Sequence, residues 1–293
     1  MKMNLNYKKE YSKFHDICFN AEMKNIENHL HHYEIIEDMI GVQYWLYDKI
    51  TTFYNSDMDY SRNHIADAMI HGLFYHNLLS LHASFLTTTQ NLLHQSIVNL
   101  RTVYESIPKM YYISFFPNEI KYMILKDHIE GNDDTKAMEY LKSENAPLVF
   151  EQTEINNPKH LINQVKPKYF FKWFNREIYS EEQINTAKST YGLLSISSHG
   201  SLVRRQQGEE DSKANAGDLF EFIELLSFFN ILAEMNGHEL MMKENWIQYH
   251  EILDFMEEMR TKLVKDDKMG SLFPDHPNVA KKVWIHPPGS PWD

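Results

Sequence analysis

The sequence predicts an all-α protein, a helical bundle over residues 1–264 followed by an irregular C-terminal tail over 265–293. Two observations carry this. Apolar residues recur at steps of three and four through most of the chain, which places them on one face of a helix. Glycine and proline are scarce, at 10 each in 293 residues, fewer than the tight turns of an all-β fold would require. With 43% hydrophobic and 24% charged residues the chain has globular composition, and it is long enough for one large domain or two smaller ones.

The elements follow in order. Tyr7, Tyr11, Phe14 and Cys18 begin a helical stripe that Ile26, Leu30, Tyr33, Ile36, Ile40 and Tyr44 continue, which reads as two helices and a candidate hairpin over 1–56. Asn55 to Asp59 has turn composition, with Ser61 a candidate N-cap. From Arg62 to Ile107 there is no proline, and Leu79, Leu86, Leu93, Ile97, Leu100, Tyr104 and Ile107 fall on one face. A single helix of that length would run roughly 65–70 Å. The β-branched run Thr87-Thr88-Thr89 is where it would bend or break, and Pro108 would end or kink it.

Short helices are expected from Pro117 to about Ile129 and from Thr135 to Ser143, then an irregular connection from Asn145 to Pro167. Ser180 with Gln183 forms a capping box for a helix to about Ser198, with Gly200 as its stop. The polar run from Arg204 to Gly217 reads as a loop. Asp218 with Glu221 would cap an apolar helix to about Met242, and Trp246 to Val264 is amphipathic. The tail holds half of the prolines with Phe273, Trp284 and Trp292, rings that need a surface on the bundle or on a second copy, so a homodimer is expected.

The net charge of −12 opposes a general nucleic-acid coat or an anionic membrane as main partner, though not a local basic groove. Cys18 is the only cysteine, which excludes an intrachain disulfide and a cysteine-built zinc site. Met1 to Tyr11 has no apolar core of a secretory signal. The most apolar stretch, Leu225 to Ala233, is too short to span a bilayer, so a cytoplasmic location is expected. Phosphate-cradling glycine loops and the Gly-x-Ser-x-Gly elbow are missing, and no cofactor is expected.

The 16 histidines raise the question of metal. Bundle metal sites use Glu-x-x-His or His-x-x-x-His, and neither spacing occurs. His29 with His32 and Glu234 with His238 are lone pairs, and His64, His71 and His82 share a stripe near the apolar face. Buried, hydrogen-bonded histidines explain that stripe as well as ligands do. No metal site is expected.

Arg101 and Glu105 lie one turn apart on an otherwise uncharged stretch from Asn91 to Ser106. They form either a surface ion pair or one turned towards a pocket. Ser195 and His199 are likewise one turn apart. His199 falls in the last turn of its expected helix, where the dipole favours a protonated imidazole. The alternative is a tight helix crossing through Gly192, Ser195, Ser197 and Ser198.

An Arg-x-x-x-Glu helix followed by Leu-Ser-x-x-x-His-Gly resembles a group of uncharacterised bacterial helical proteins suspected of roles in phage defence. These are remotely similar to the HEPN superfamily of nucleotide- and RNA-binding helical domains. The resemblance covers Asn99 to Ser106 and Tyr191 to Ser201. HEPN ribonucleases carry an arginine, then four to six residues, then a histidine in one helix, and no arginine here has a histidine at that distance. The resemblance therefore implies a split site, with Arg101, Glu105, Ser195 and His199 converging from two helices.

Lys159 to Arg176 carries five basic residues and no acidic one, interleaved with aromatics. Lys166, Lys168, Lys172, Trp173 and Arg176 would suit single-stranded RNA if the rings stack on bases, whereas a core role for the rings is the alternative. Two functions follow as expectations. One is a metal-independent endoribonuclease of toxin or defence type, with His199 as general acid or base and Arg101 stabilising the phosphorane. The other is a non-catalytic helical module that binds a protein or nucleotide, its polar residues fixing helix register.

Overall fold

The computed structural model describes residues 7–57, 64–117, 167–179, 215–238 and 249–266, with single positions at 120, 123, 242 and between 181 and 194. Among these residues the chain is almost wholly helical, without a strand, as expected for an all-α bundle. The helices are α1 (Tyr7–Asn28), α2 (Leu30–Ser56), α3 (Ile65–Thr89), α4 (Leu93–Phe115), α5 (Pro167–Ile178), α6 (Ala216–Gly237) and α7 (Tyr249–Asp266). The helix to Ser143, the Ser61 and Ser180 caps and the tail beyond Asp266 lie outside the described residues.

The long helix divides. Thr87 and Thr89 turn their hydroxyls back onto the carbonyls of Ala83 and Leu86, and the chain then reverses through Asn91, whose φ of 58° is a left-handed conformation that asparagine tolerates. Asn25 of α1 donates its side-chain amide to the Thr88 and Thr89 carbonyls, at 3.3 and 2.9 Å, and so satisfies groups that a helix end leaves open. The division corrects the shared stripe. Ile97, Leu100, Tyr104 and Ile107 are buried on α4, but Leu79 and Leu86 on α3 are 42% and 47% exposed. Pro108 does not end α4, which continues a further two turns to Phe115.

The centre of the bundle is α6, packed against α2, α3 and α4, with α5 on α4 and α1 lying across α2 and α3. Its N-cap is Asn215, one turn before the expected Asp218. Asn215 Oδ1 accepts from the Asp218 backbone N–H, and its Nδ2 donates to the Asp218 carboxylate, both at 2.9 Å. The helix stops at Gly237, short of Met242. Every residue from Leu219 to Met235 is buried.

Gly237 permits a close approach between α6 and α3. A Cβ there would lie 2.8 Å from Cδ1 and 2.9 Å from Cγ2 of Ile70, a fully buried side chain. Replacing Gly237 with alanine should therefore destabilise the protein by about 1–3 kcal/mol despite alanine's better helix propensity. A thermal melt should show the midpoint lowered by several degrees, and an unchanged or raised midpoint would contradict this account of the contact.

Candidate functional site

A helix buried all round is normally apolar all round. Along α6, however, Glu224, Ser227, Asn230 and Glu234 are buried, and His238 follows at the C-cap. At about 100° per residue these five positions share one face, and at about 1.5 Å per residue they span roughly 21 Å. Burying such groups is costly unless each is hydrogen-bonded, so the partners decide what this face is.

The partners come from α2 and α3. His32 Nδ1 lies 2.9 Å from Glu224 Oε1. Asn230 donates to Gln43 Oε1 at 2.8 Å and accepts from Asn77 at 2.9 Å, an interlock of three buried amides from three helices. His71 Nδ1 lies 2.6 Å from Glu234 Oε1, and its Nε2 lies 3.0 Å from the Thr51 hydroxyl. His238 Nδ1 donates to the Glu234 carbonyl at 3.0 Å, and its Nε2 lies 2.6 Å from Tyr54 OH. Tyr47 stacks on His71 with centroids 5.1 Å apart, and Tyr54 meets the same ring edge-on at 5.5 Å. Glu234 Oε2 and Ser227 Oγ make no hydrogen bond with the described residues.

Thr51, His71 and Glu234 stand in the order of an acyl-transfer triad. Thr51, however, is inside α2, where neighbouring backbone N–H groups are committed to the helix and cannot form an oxyanion hole. The arrangement suits a structural relay that ties three helices together. At the other end of the face His29 packs on Phe220, and its pKa is lowered, first by burial and then by the charge of His32.

Arg101 Nε donates to Glu105 Oε1 at 2.9 Å on α4, with the side chains 22% and 32% exposed. Ser195, His199 and Lys166 lie outside the described residues, so the convergence of Arg101 with His199 has no geometry here. Lys168 lies in α5; Lys172 and Arg176 are exposed on it, and Arg176 pairs with Glu177 at 2.7 Å. Trp173 is buried against Tyr112, Phe115 and Phe116, while Phe174 packs on Tyr111 and Phe229. These two rings, with Phe170, are core, and a base cannot stack on them. Tyr111 is wholly buried in the same cluster, and burial holds its pKa well above the ordinary value.

Among the described residues no group of three or more His, Cys, Asp or Glu is disposed to hold a metal ion, and no helix is long and apolar enough to cross a membrane. No protein-family model matches the chain, and no curated protein or solved structure matches it. Sequence reading named Glu234 with His238, and His71, but did not join them, because His71 lies 163 residues from Glu234 and Tyr54 184 residues from His238. The signal that could have found the network is a polar residue at every third or fourth position of an otherwise apolar helix.

Removal of one fully buried partner should cost far more than removal of the partly exposed Arg101–Glu105 pair. In urea titrations Glu234→Ala should lose about 3–5 kcal/mol, because it strands His71. Arg101→Ala should lose less than about 1 kcal/mol. Equal losses would mean that the buried network contributes no more than a surface pair.

Proposed function

We propose that this chain is a non-catalytic helical module that acts by binding a protein partner. The observation that carries the reading is the set of large apolar side chains left open on α1 and α3: Ile17, Phe19 and Met23 on the first, Leu79 and Leu86 on the second. The polar groups with catalytic potential point the other way. Those of the α6 face are bonded to one another inside the bundle, and Arg101 is bonded to Glu105 of its own helix. The resemblance of the Arg101 and His199 segments to HEPN-like proteins suggests a setting in defence or regulation.

A second reading, a metal-independent endoribonuclease with Arg101, Glu105, Ser195 and His199 as its site, has one observation in its favour. The Arg101 guanidinium is partly open, on a helix surface where a phosphate could reach it. Under that reading exposed Lys172 and Arg176 hold the RNA backbone without help from Trp173.

The experiment incubates the purified chain with total RNA and a chelator, beside Arg101→Ala and His199→Ala. The module reading expects intact RNA in every lane. Cleavage by the wild type that disappears in both folded variants would replace it with the ribonuclease reading.

A further inference from the structure

A single residue separates α1 from α2. Asn28 ends the first, Leu30 begins the second, and His29 stands between them at φ −131° and ψ 32°, outside the helical range. Backbone bonds run up to this joint and away from it, from His29 N–H to the Asn25 carbonyl and from Tyr33 N–H to the His29 carbonyl, each 3.0 Å. The position is a helix N-cap, yet the His29 side chain makes no capping bond. It is turned onto α6 instead. Its ring meets Phe220 with centroids 5.4 Å apart, and a Cβ added at Gly217 would lie 3.1 Å from its Cε1.

The rest of α1 is lightly held. No described side chain from Ser12 to Asn28 is buried. Asn25 bonds the Thr88 and Thr89 carbonyls of α3, and the His29 ring carries the joint onto α6. A helix with so little buried surface opens at low free-energy cost.

A proton on His29 works against this anchor. The charged ring would sit partly buried beside His32, whose centroid is 6.2 Å away, and against the first turn of α6, the positive end of that helix's dipole. Exposed His31, 5.9 Å from His32, adds a third imidazole within four residues. Of the carboxylates on neighbouring elements, Glu224 of α6 is bonded to His32 and Asp218 to Asn215, Glu221 follows Gly217 by one turn, and Glu22 of α1 acts on Tyr33. The part of α3 that meets this region brings Phe85, which packs on Phe220 and Tyr33, and no charge. Burial, and then the charge of His32, prevail over the carboxylates and hold the His29 pKa below its ordinary 6.5.

We propose that His29 is a proton-operated latch: the neutral ring keeps α1 docked across α2 and α3, and protonation releases α1 as an arm about the joint. The latch operates whether or not Ile17, Phe19 and Met23 of α1 meet a partner. Above pH 6.5 the ring is neutral in the docked and the released chain, and pH does not act through it. As pH falls through 6.5, the released joint takes up a proton that the docked one resists, and docking weakens until the docked ring is protonated too.

Hydrogen–deuterium exchange of the full chain at about pH 7.5 and about pH 5.5, corrected for the intrinsic pH dependence of exchange, tests this. Protection over residues 12–28 should fall severalfold at the lower pH, to a limit of about tenfold, while protection over residues 219–235 of α6 holds. His29→Phe keeps a ring against Phe220 with nothing to titrate, and His29→Gln keeps the polarity. In each, α1 should be protected equally at both pH values, whereas His31→Gln should respond as the wild type does. Equal protection of wild-type α1 at both pH values overturns the proposal, as does a pH response that both His29 variants retain or that His31→Gln abolishes. If both His29 variants already lack protection at the higher pH, the ring is a packing anchor and not a latch. Loss of protection shared by α6 is acid unfolding of the whole bundle and overturns the latch as well.

Discussion

Glu234 sits where no water reaches it, on a helix that other elements enclose on every side. A carboxylate in that position is tolerated only if a surrounding helix brings a donor to it, and α3 does, with α2 holding that donor in place. His71 of α3 meets Oε1, and Thr51 of α2 holds the far nitrogen of the same ring. Placing that imidazole requires α3 to cross α6 closely, which Gly237 permits, and requires α2 to lie alongside both. Once this crossing is set, Asn230 finds Gln43 and Asn77, and His32 finds Glu224. The order of packing around α6 is thus imposed by its polar face rather than by its apolar surface, which any apolar neighbour could cover.

Such a network does not make the bundle more stable than an apolar core of equal volume would be, because desolvation offsets most of the gain. Its effect is selective. Rotation of α6 by one residue turns the face through about 100° and would leave two carboxylates and one amide against aliphatic side chains. Alternative registers are penalised, and the native one is not. A rigid centre in turn holds α3 in place, with Leu79 and Leu86 turned outward.

Legibility in the sequence followed the range of the interaction. The helical class came from local periodicity. The Arg101–Glu105 pair was readable for the same reason, since four residues along one helix fix the geometry. The division at Asn91 is accompanied by a hydrogen bond from Asn25, far away in the chain, which the threonine run could not reveal. Leu79 and Leu86 shared a stripe with core residues of α4 only for as long as the two helices were one. The α6 cap was placed one turn late because Asp218 is a capping residue type, whereas Asn215 caps the helix and bonds Asp218. Trp173 and its neighbours have a composition that suits either a core or an RNA surface, and only their packing on Tyr112 and Phe115 distinguishes the two. The Glu234 partners were out of reach because a polar residue on α6 does not specify which helix crosses it.

The most direct measurement is a double-mutant cycle on the buried pair, with His71→Phe, Glu234→Leu and both together, each variant's unfolding free energy taken from denaturant titration. If the pair organises the crossing of α3 and α6, each single variant strands its partner, and the double variant loses less than the sum of the two by about 2 kcal/mol or more. Losses that add to within about 0.5 kcal/mol would show the two side chains to be energetically independent and would contradict the account.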